Sequence, residues 1–84
     1  MALKMLYIVV NMSIRAIKVE SCFLGQHTNR KYRIVRCRDN KGDFFVVEAT
    51  WSGGWSDIGE EADTIAKARS LAEQFDLYSF TRSK

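Results

Sequence analysis

Apolar and polar side chains alternate along the first two-thirds of the chain, and this alternation predicts β-strands. Near the start of this part, Ile17, Val19, Ser21 and Phe23 lie at every second position. Such spacing is typical of a strand with one buried face. Four strands are predicted from this pattern and from runs of β-forming residues, at 14–23, 32–38, 44–51 and 55–58.

The segments between these strands contain residues that favour turns. A polar loop at 25–31 follows the first strand, and residues 39–42 (Asp-Asn-Lys-Gly) predict a hairpin turn between the second and the third. The glycine of this turn can take the positive φ that tight hairpins require. Residues 52–54 (Ser-Gly-Gly) predict another tight connection before the fourth strand.

In the last third of the chain, apolar residues recur every three to four positions, which predicts a helix. Its apolar stripe consists of Ile65, Ala68, Leu71, Ala72 and Phe75. Asp63 or Thr64 can cap the N-terminus of this helix. Glu60 and Glu61 are interpreted as charges beside that end, where the helix dipole favours acids. Residues 77–84 are predicted to form a tail.

These elements predict a single α+β domain over residues 1–84, in which a small antiparallel sheet of three to four strands is packed on one face by a single C-terminal helix (ββββα). The helix has to cover the sheet because one amphipathic helix cannot bury its apolar stripe alone. Two hypotheses concern the first residues. Either 1–11 is an extension that precedes a native start at Met12, or 6–10 is an edge strand through which two chains pair as a homodimer.

Charge is distributed unevenly along the chain. The net charge is +3, but residues 1–42 hold nine basic and two acidic side chains, whereas 43–84 hold four basic and eight acidic ones. Six of the basic residues fall within 30–41, beside one acidic residue. A basic surface attracts phosphate backbones or acidic proteins. In the alternative interpretation these arginines are solvated and pair with Glu20 or Glu48 across strands.

The side chains that many enzymes and metal sites require are scarce. His27 is the single histidine, and Cys22 and Cys37 are the only cysteines. Together they supply three ligands, one fewer than a structural zinc site needs, and no nucleotide-binding or nucleophile motif occurs. We therefore expect no catalytic residues, no metal and no cofactor. Free thiols in the cytoplasm are expected for so few cysteines, and the apolar run at 6–10 is too short to span a membrane.

The basic segment and its aromatic neighbours form the predicted binding site. Arg36 and Arg38 are expected on one face of the second strand, with Phe44 beside them on the third. Trp51 and Trp55 flank the Gly-Gly turn, and one interpretation makes them a pair of exposed aromatic anchors at the hairpin tip. In the other, Trp51 is a core residue, which its periodicity favours, and Trp55 caps the edge of the core. The predicted contacts are Arg30, Lys31, Arg33, Arg36, Arg38, Lys41, Phe44 and Trp55.

Residues 32–75 resemble a known DNA-binding domain. Residues 32–38 (Tyr-Arg-Ile-Val-Arg-Cys-Arg) are similar to the first strand of the plant ethylene-response-factor domain, which reads roughly Y-R-G-V-R-x-R. The segments at 42–44 and 59–72 resemble its turn and its alanine-rich helix. The arm-binding domains of some phage integrases look alike in outline.

This resemblance implies a sheet, backed by one helix, that enters the major groove of DNA. Carried over by position, it implies that Arg33, Arg36 and Arg38 contact the DNA. The chain departs from the family pattern at Ile34, where the family has a glycine that allows close approach to DNA. It departs again at Phe44, where the family has tryptophan.

Two functions from different classes fit the sequence. In the first, the protein is a non-enzymatic module that binds nucleic acid, DNA in particular, through an arginine-rich sheet face. In the second, it is a small inhibitor or adaptor of the phage or mobile-element type, similar to an anti-CRISPR protein, which binds a host protein or nucleoprotein complex stoichiometrically. An acidic face would then make contact through Asp57, Glu60, Glu61 and Asp63. No membrane partner is expected.

Overall fold

Four β-strands and one α-helix follow one another in a computed structural model that describes residues 15–82. The elements are β1 (Arg15–Leu24), β2 (Lys31–Asp39), β3 (Gly42–Trp51), β4 (Gly54–Ala62) and α1 (Ile65–Arg82). The strands form one antiparallel sheet in the order β1-β2-β3-β4, and α1 packs on it. The predicted ββββα fold is confirmed. The hypotheses about 1–11 and 6–10 concern residues outside the described part.

The β2–β3 hairpin turns where the sequence predicts it. Gly42 has a φ of 129°, and the Asp39 carboxylate accepts a hydrogen bond from the Lys41 N–H at 2.8 Å. An aspartate that binds the backbone two residues ahead stabilises such a turn. The β3–β4 hairpin also uses a positive φ, 91° at Gly53.

Strand β4 is nine residues long, whereas the alternation predicted only 55–58. A bulge interrupts its pairing with β3. At this bulge Gly59 has a φ of 95°, and its N–H donates to the Asp57 carboxylate at 2.5 Å. Extra residues in a bulge disrupt the alternation of side chains although the strand continues. Glu60 and Glu61 therefore lie within β4, which corrects their interpretation as helix-end charges.

Helix α1 begins with one of the two predicted caps. The hydroxyl of Thr64 accepts a hydrogen bond from the Lys67 N–H at 3.1 Å, which satisfies a backbone donor of the first turn. Ile65, the first residue of the predicted stripe, is 41% exposed. It lies in the first turn, before the helix meets the sheet at Ala68.

The helix continues to Arg82, so the prediction of a tail is wrong for residues 77–82. Contacts with the β1–β2 loop accompany this last part. The ring of Phe80 lies tilted against that of His27 with 5.5 Å between their centroids, and the Ser79 hydroxyl accepts a hydrogen bond from Arg30. These partners are 49 or more residues apart in the sequence, so periodicity alone could not indicate them.

Small side chains let the helix lie close to the sheet. Ala68 and Ala72 are fully buried, in one cluster with Tyr32, Ile34 and Val47 of the central strands. The separation of packed elements depends on the side chains at the contact, so alanine allows a close approach. Around this core pack the partly buried Phe23, Ile58, Leu71 and Phe75.

Trp51 does not belong to this core, contrary to the prediction. It is the last residue of β3 and is 39% exposed. Its ring meets the ring of Phe75 edge-on, with 5.7 Å between centroids. Periodicity gave the correct face of the strand, but this end of the strand lies at the margin of the helix.

The sheet face turned away from the helix, called the open face below, has a smaller apolar patch. Val35, Cys37 and Val46 are buried there, and Phe44 packs against them. These residues alternate with the core residues along β2 and β3. The sheet therefore has apolar side chains on both faces.

One buried carboxylate joins the helix to the β1–β2 loop. Asp76 of α1 is 1% exposed. It accepts hydrogen bonds from the His27 N–H and the Tyr32 hydroxyl, both at 2.8 Å. The Thr28 hydroxyl donates to it as well, and so does the Thr28 N–H at 3.4 Å. We call this group of residues the Asp76 clamp.

The clamp depends on an ionised carboxylate. Burial opposes ionisation of Asp76, but the hydrogen bonds from Thr28, His27 and Tyr32 outweigh it and hold its pKa below the ordinary value. Burial, together with this carboxylate, raises the pKa of Tyr32 to about 12. Gly25 lies so close that a Cβ atom there would overlap the Asp76 side chain.

Replacing Asp76 by asparagine is expected to lower the free energy of unfolding by about 2–4 kcal/mol, because each hydrogen bond to a buried charge contributes up to about 3 kcal/mol. Urea unfolding followed by circular dichroism measures this loss. Asp63→Asn is the matched control, because Asp63 has an exposed side chain paired with Lys67 at the start of the helix. Equal losses of unfolding free energy in both variants would contradict the stabilising role of the Asp76 clamp.

Gly25→Ala is expected to destabilise the fold by about 1–3 kcal/mol, because an added methyl group in a filled space displaces its neighbours. Gly54→Ala is the control, since a Cβ atom at Gly54 meets nothing within 4 Å. The melting temperature of each variant gives the comparison. Equal shifts of the melting temperature in the two variants would contradict the close contact between Gly25 and Asp76.

Candidate nucleic-acid interface

The structure separates the predicted contact residues into two groups at opposite ends of the sheet, and it places Phe44 at the same end as the first group but on the other face. Near the β2–β3 turn lie Arg36, Arg38 and Lys41. Near the β3–β4 hairpin lie Arg30, Lys31, Arg33 and Trp55. The two groups differ in what neutralises their charge.

The group near the β2–β3 turn belongs to a network of ion pairs on the helix side of the sheet. We call it the arginine–carboxylate cluster, and it consists of Lys18, Glu20, Arg36, Arg38 and Asp43. Arg36 pairs with Glu20 at 2.7 Å and with Asp43 at 3.0 Å. Arg38 pairs with Asp43 at 2.6 Å. The alternative in which arginines pair with Glu20 is thus confirmed.

These ion pairs compensate much of the positive charge of the two arginines. Hydrogen bonds from Arg38 and Arg36 lower the pKa of Asp43 to about 2. A hydrogen bond from Arg36 lowers the pKa of Glu20. The same pairs raise the pKa of Arg36, so all these groups are charged at neutral pH. Lys41, exposed in the turn, has no carboxylate within ion-pair distance among residues 15–82.

Phe44 does not stand beside Arg36 and Arg38, which corrects the prediction. The register pairs Arg36 with Phe45 and Cys37 with Phe44. Successive side chains project to opposite faces, so Phe44 lies on the open face. The aromatic neighbour of Arg36 is Phe45, whose ring centroid lies 5.0 Å from the guanidinium carbon.

The open face carries more acidic than basic side chains around its apolar patch. Arg33 pairs there with Glu48 at 2.6 Å, so the second predicted cross-strand partner is also confirmed. Burial, and then the charges of Glu48, Asp57 and Glu61, raise the pKa of the Cys37 thiol. Arg33 compensates Glu48, but Asp57 and Glu61 lie on this face without an ion-pair partner among the described residues, so a phosphate backbone laid across it would meet repulsion.

The three arginines implied by the family resemblance do not share a face. Arg33 projects to the open face, where its guanidinium lies over Trp55. Arg36 and Arg38 project to the helix side. One flat DNA contact through all three arginines is therefore not available in this fold. The resemblance itself stays a prediction.

A different arrangement occupies the end of the sheet beside the β3–β4 hairpin. We call it the arginine–tryptophan site, and it consists of Arg30, Lys31, Arg33, Trp51 and Trp55. The Arg30 guanidinium carbon lies 4.1 Å from the centre of the Trp51 ring, and that of Arg33 lies 4.2 Å from the centre of Trp55. Arg30 also donates to the Ser79 hydroxyl at 3.4 Å.

This site retains positive charge. Neither Arg30 nor Lys31 has a carboxylate within ion-pair distance among the residues that the structure describes. A guanidinium stacked on a ring keeps the N–H groups at its edge free to bind phosphate or a base edge. The Arg30–Trp51 stack can therefore hold an anion and offer a flat surface at the same time, whereas Arg33 in the second stack is already paired with Glu48.

The four residues of the predicted acidic face do not lie together in the structure. Asp57 and Glu61 lie near Glu48 on the open face. Asp63 stands at the start of the helix and pairs with Lys67 at 3.2 Å, which lowers the pKa of Asp63. Glu60 lies beside the helix, where it borders a shallow cleft with Leu71 and Gln74.

Sequence reasoning missed two residues of this region. Trp51 was assigned to the core, yet it carries one of the two stacked arginines. The pattern predicts no role for Asp76, although its carboxylate binds the loop that precedes Arg30. A tryptophan at the end of a predicted strand and next to a Gly-Gly turn was the available signal for Trp51. Nothing local distinguishes Asp76 from the other acids of the helix.

A cavity of about 250 Å³ lies between α1 and the β1–β2 loop, where the Arg69 guanidinium stacks 3.8 Å from the centre of the Phe23 ring. Within residues 15–82, no group of three or more His, Cys, Asp or Glu side chains is placed to hold a metal ion. Over the same range, no helix is long and apolar enough to cross a membrane.

The arginine–carboxylate cluster predicts a specific loss of stability in acid. Asp43 titrates at about 2 in the folded protein against 3.8 ordinarily, so its stabilising effect is present above about pH 4 and is lost as the pH falls towards 2. In Asp43→Asn, the free energy of unfolding should fall less steeply between about pH 4 and pH 2. Urea titrations at stepped pH measure both slopes, and parallel slopes would contradict the assignment.

Comparison of the chain with models of protein families, with curated protein sequences and with solved structures found no match.

Proposed function

We propose that this protein is a non-enzymatic module that binds nucleic acid through the arginine–tryptophan site. The observation that carries the proposal is the pair of arginine-over-tryptophan stacks at one end of the sheet, 4.1 and 4.2 Å from guanidinium to ring. Cationic groups interleaved with aromatic rings bind phosphates by charge and bases by stacking. Lys31, next to Arg30 in the sequence, adds a second positive charge without an ion-pair partner among the described residues, while Arg33 is paired with Glu48.

Two features favour this site over the arginine-rich strand as a whole. The arginines of the arginine–carboxylate cluster are occupied by Glu20 and Asp43, so contact with phosphate would first require these pairs to break. The open face carries Asp57 and Glu61, which have no ion-pair partner among the described residues. The end of the sheet that holds Arg30 and Lys31 combines uncompensated charge with exposed aromatic surface.

A second candidate is a stoichiometric inhibitor that binds a protein of a host complex. The specific observation behind it is the open face, where Glu48, Asp57 and Glu61 border an apolar patch. Apolar surface surrounded by charge is typical of protein interfaces. A basic groove in a partner would complement these carboxylates. This candidate predicts no affinity for free nucleic acid.

A salt titration separates the two candidates. Fluorescence anisotropy with a labelled mixed-sequence oligonucleotide should show binding at low salt that weakens with a log–log slope of about 1.5, because about two phosphates would be contacted, by Arg30 and Lys31. Arg30→Gln should weaken binding several-fold at low salt. Arg38→Gln is the matched control, since Arg38 is already paired with Asp43.

Two outcomes would overturn the proposal. One is the absence of binding at low salt by the folded wild-type protein, which favours the inhibitor. The other is an equal loss of affinity in Arg30→Gln and Arg38→Gln, which would mean that overall charge and not the arginine–tryptophan site attracts the oligonucleotide.

A further inference from the structure

We infer that the arginine–tryptophan site takes unpaired, single-stranded nucleic acid in preference to a duplex. This inference rests on the proposed function and names the substrate class of the same site. Three features carry it: the placement of the two tryptophans, the composition of the hairpin tip between them, and the carboxylates behind it.

The two tryptophans stand on opposite faces of the same hairpin. Trp51 is on the helix side, against Phe75, and Trp55 is on the open face under Arg33. The register pairs Trp51 with Gly54 and Thr50 with Trp55, so the rings are close along the strands although they face opposite ways. Only unstacked bases can contact both stacks, on a ring face or on the guanidinium that lies over it, because the bases of a duplex are stacked on one another.

The tip between the rings has almost no side chains. Residues 52–54 are Ser-Gly-Gly, and a Cβ atom at Gly53 or Gly54 would meet nothing within 4 Å. A hairpin that reads the major groove of a duplex needs side chains that reach base edges. This tip offers one serine hydroxyl. The bare glycines instead leave room for a single strand to cross from one ring to the other.

Acidic side chains limit the length of the contact. Glu48 and Asp57 lie directly opposite each other on the open face, next to Arg33 and Trp55. The phosphates of a duplex, on both sides of its groove, would approach these carboxylates, of which Asp57 has no ion-pair partner among the described residues. A short single strand can pass over the tip and avoid them. We therefore expect a footprint on the order of four nucleotides, at the lower limit for small single-strand binders.

Intrinsic fluorescence tests this inference directly, because Trp51 and Trp55 are the only tryptophans of the chain. The probes are a mixed-sequence 20-nucleotide DNA strand, the RNA strand of the same sequence and the corresponding DNA duplex. Both single strands should quench the emission and bind at least about tenfold more tightly than the duplex. Comparison of the DNA and RNA strands shows whether a 2′-hydroxyl contributes.

Substitutions of the two tryptophans test whether the quenching arises at the arginine–tryptophan stacks. Trp51→Leu and Trp55→Leu should each weaken single-strand binding about tenfold, since one stacked base contributes roughly that factor. Phe44→Leu is the matched control, because Phe44 is an aromatic residue at the far end of the sheet. If a leucine variant unfolds, Trp51→Phe and Trp55→Phe each leave one emitter, and saturating single strand should still quench it.

The outcomes distinguish this inference from the proposal on which it rests. Equal or tighter binding of the duplex would overturn the inference and leave nucleic-acid binding intact. Single-strand binding without quenching in either single-tryptophan variant would also overturn it. The absence of binding by all three probes would overturn the proposed function as well.

Discussion

The arrangement of this small domain depends on the hydrogen bonds that the buried carboxylate of Asp76 accepts. A carboxylate that is 1% exposed is tolerated only if donors surround it, and the β1–β2 loop supplies them through His27 and Thr28. Because the Thr28 hydroxyl also accepts a hydrogen bond from the Arg30 N–H at 3.1 Å, the clamp extends to the first residue of the arginine–tryptophan site. The helix, the loop and the site are therefore one connected unit, in which a loss of order at Asp76 would reach Arg30.

Local pairing, and not net charge, decides which arginines can meet a ligand. The first half of the chain is strongly basic and the second half acidic, but the hairpins bring the two halves together strand against strand. Antiparallel pairing places Asp43 opposite Arg38 and Glu48 opposite Arg33, so the halves neutralise each other over most of the sheet. Uncompensated charge persists near the β1–β2 loop, where Arg30 and Lys31 have no carboxylate opposite them in the described part of the chain.

The limits of sequence-based prediction follow from the range of each interaction. The strands, the turn at Gly42 and the cap at Thr64 are local, so alternation and turn residues were sufficient to place them. The extension of β4 was missed because the bulge at Gly59 disrupts the alternation that identifies a strand. The helix beyond Phe75 was missed because its last turns depend on long-range contacts to Arg30 and His27. The face of Phe44 was misjudged relative to Arg36, since cross-strand neighbours depend on a register that only the turn geometry determines.

The two ends of the sheet hold their arginines by different means, and this difference bears on function. At one end, Arg36 is held by the carboxylates of Glu20 and Asp43. These carboxylates neutralise its charge and occupy its N–H groups. At the other, Arg30 is fixed mainly by the ring of Trp51, which restrains the side chain while leaving its charge in place. Restraint before binding reduces the entropy that an arginine loses when it meets a ligand. The stacked Arg30 is therefore ordered before binding and is still able to bind an anion. A site for a flexible single strand requires both properties.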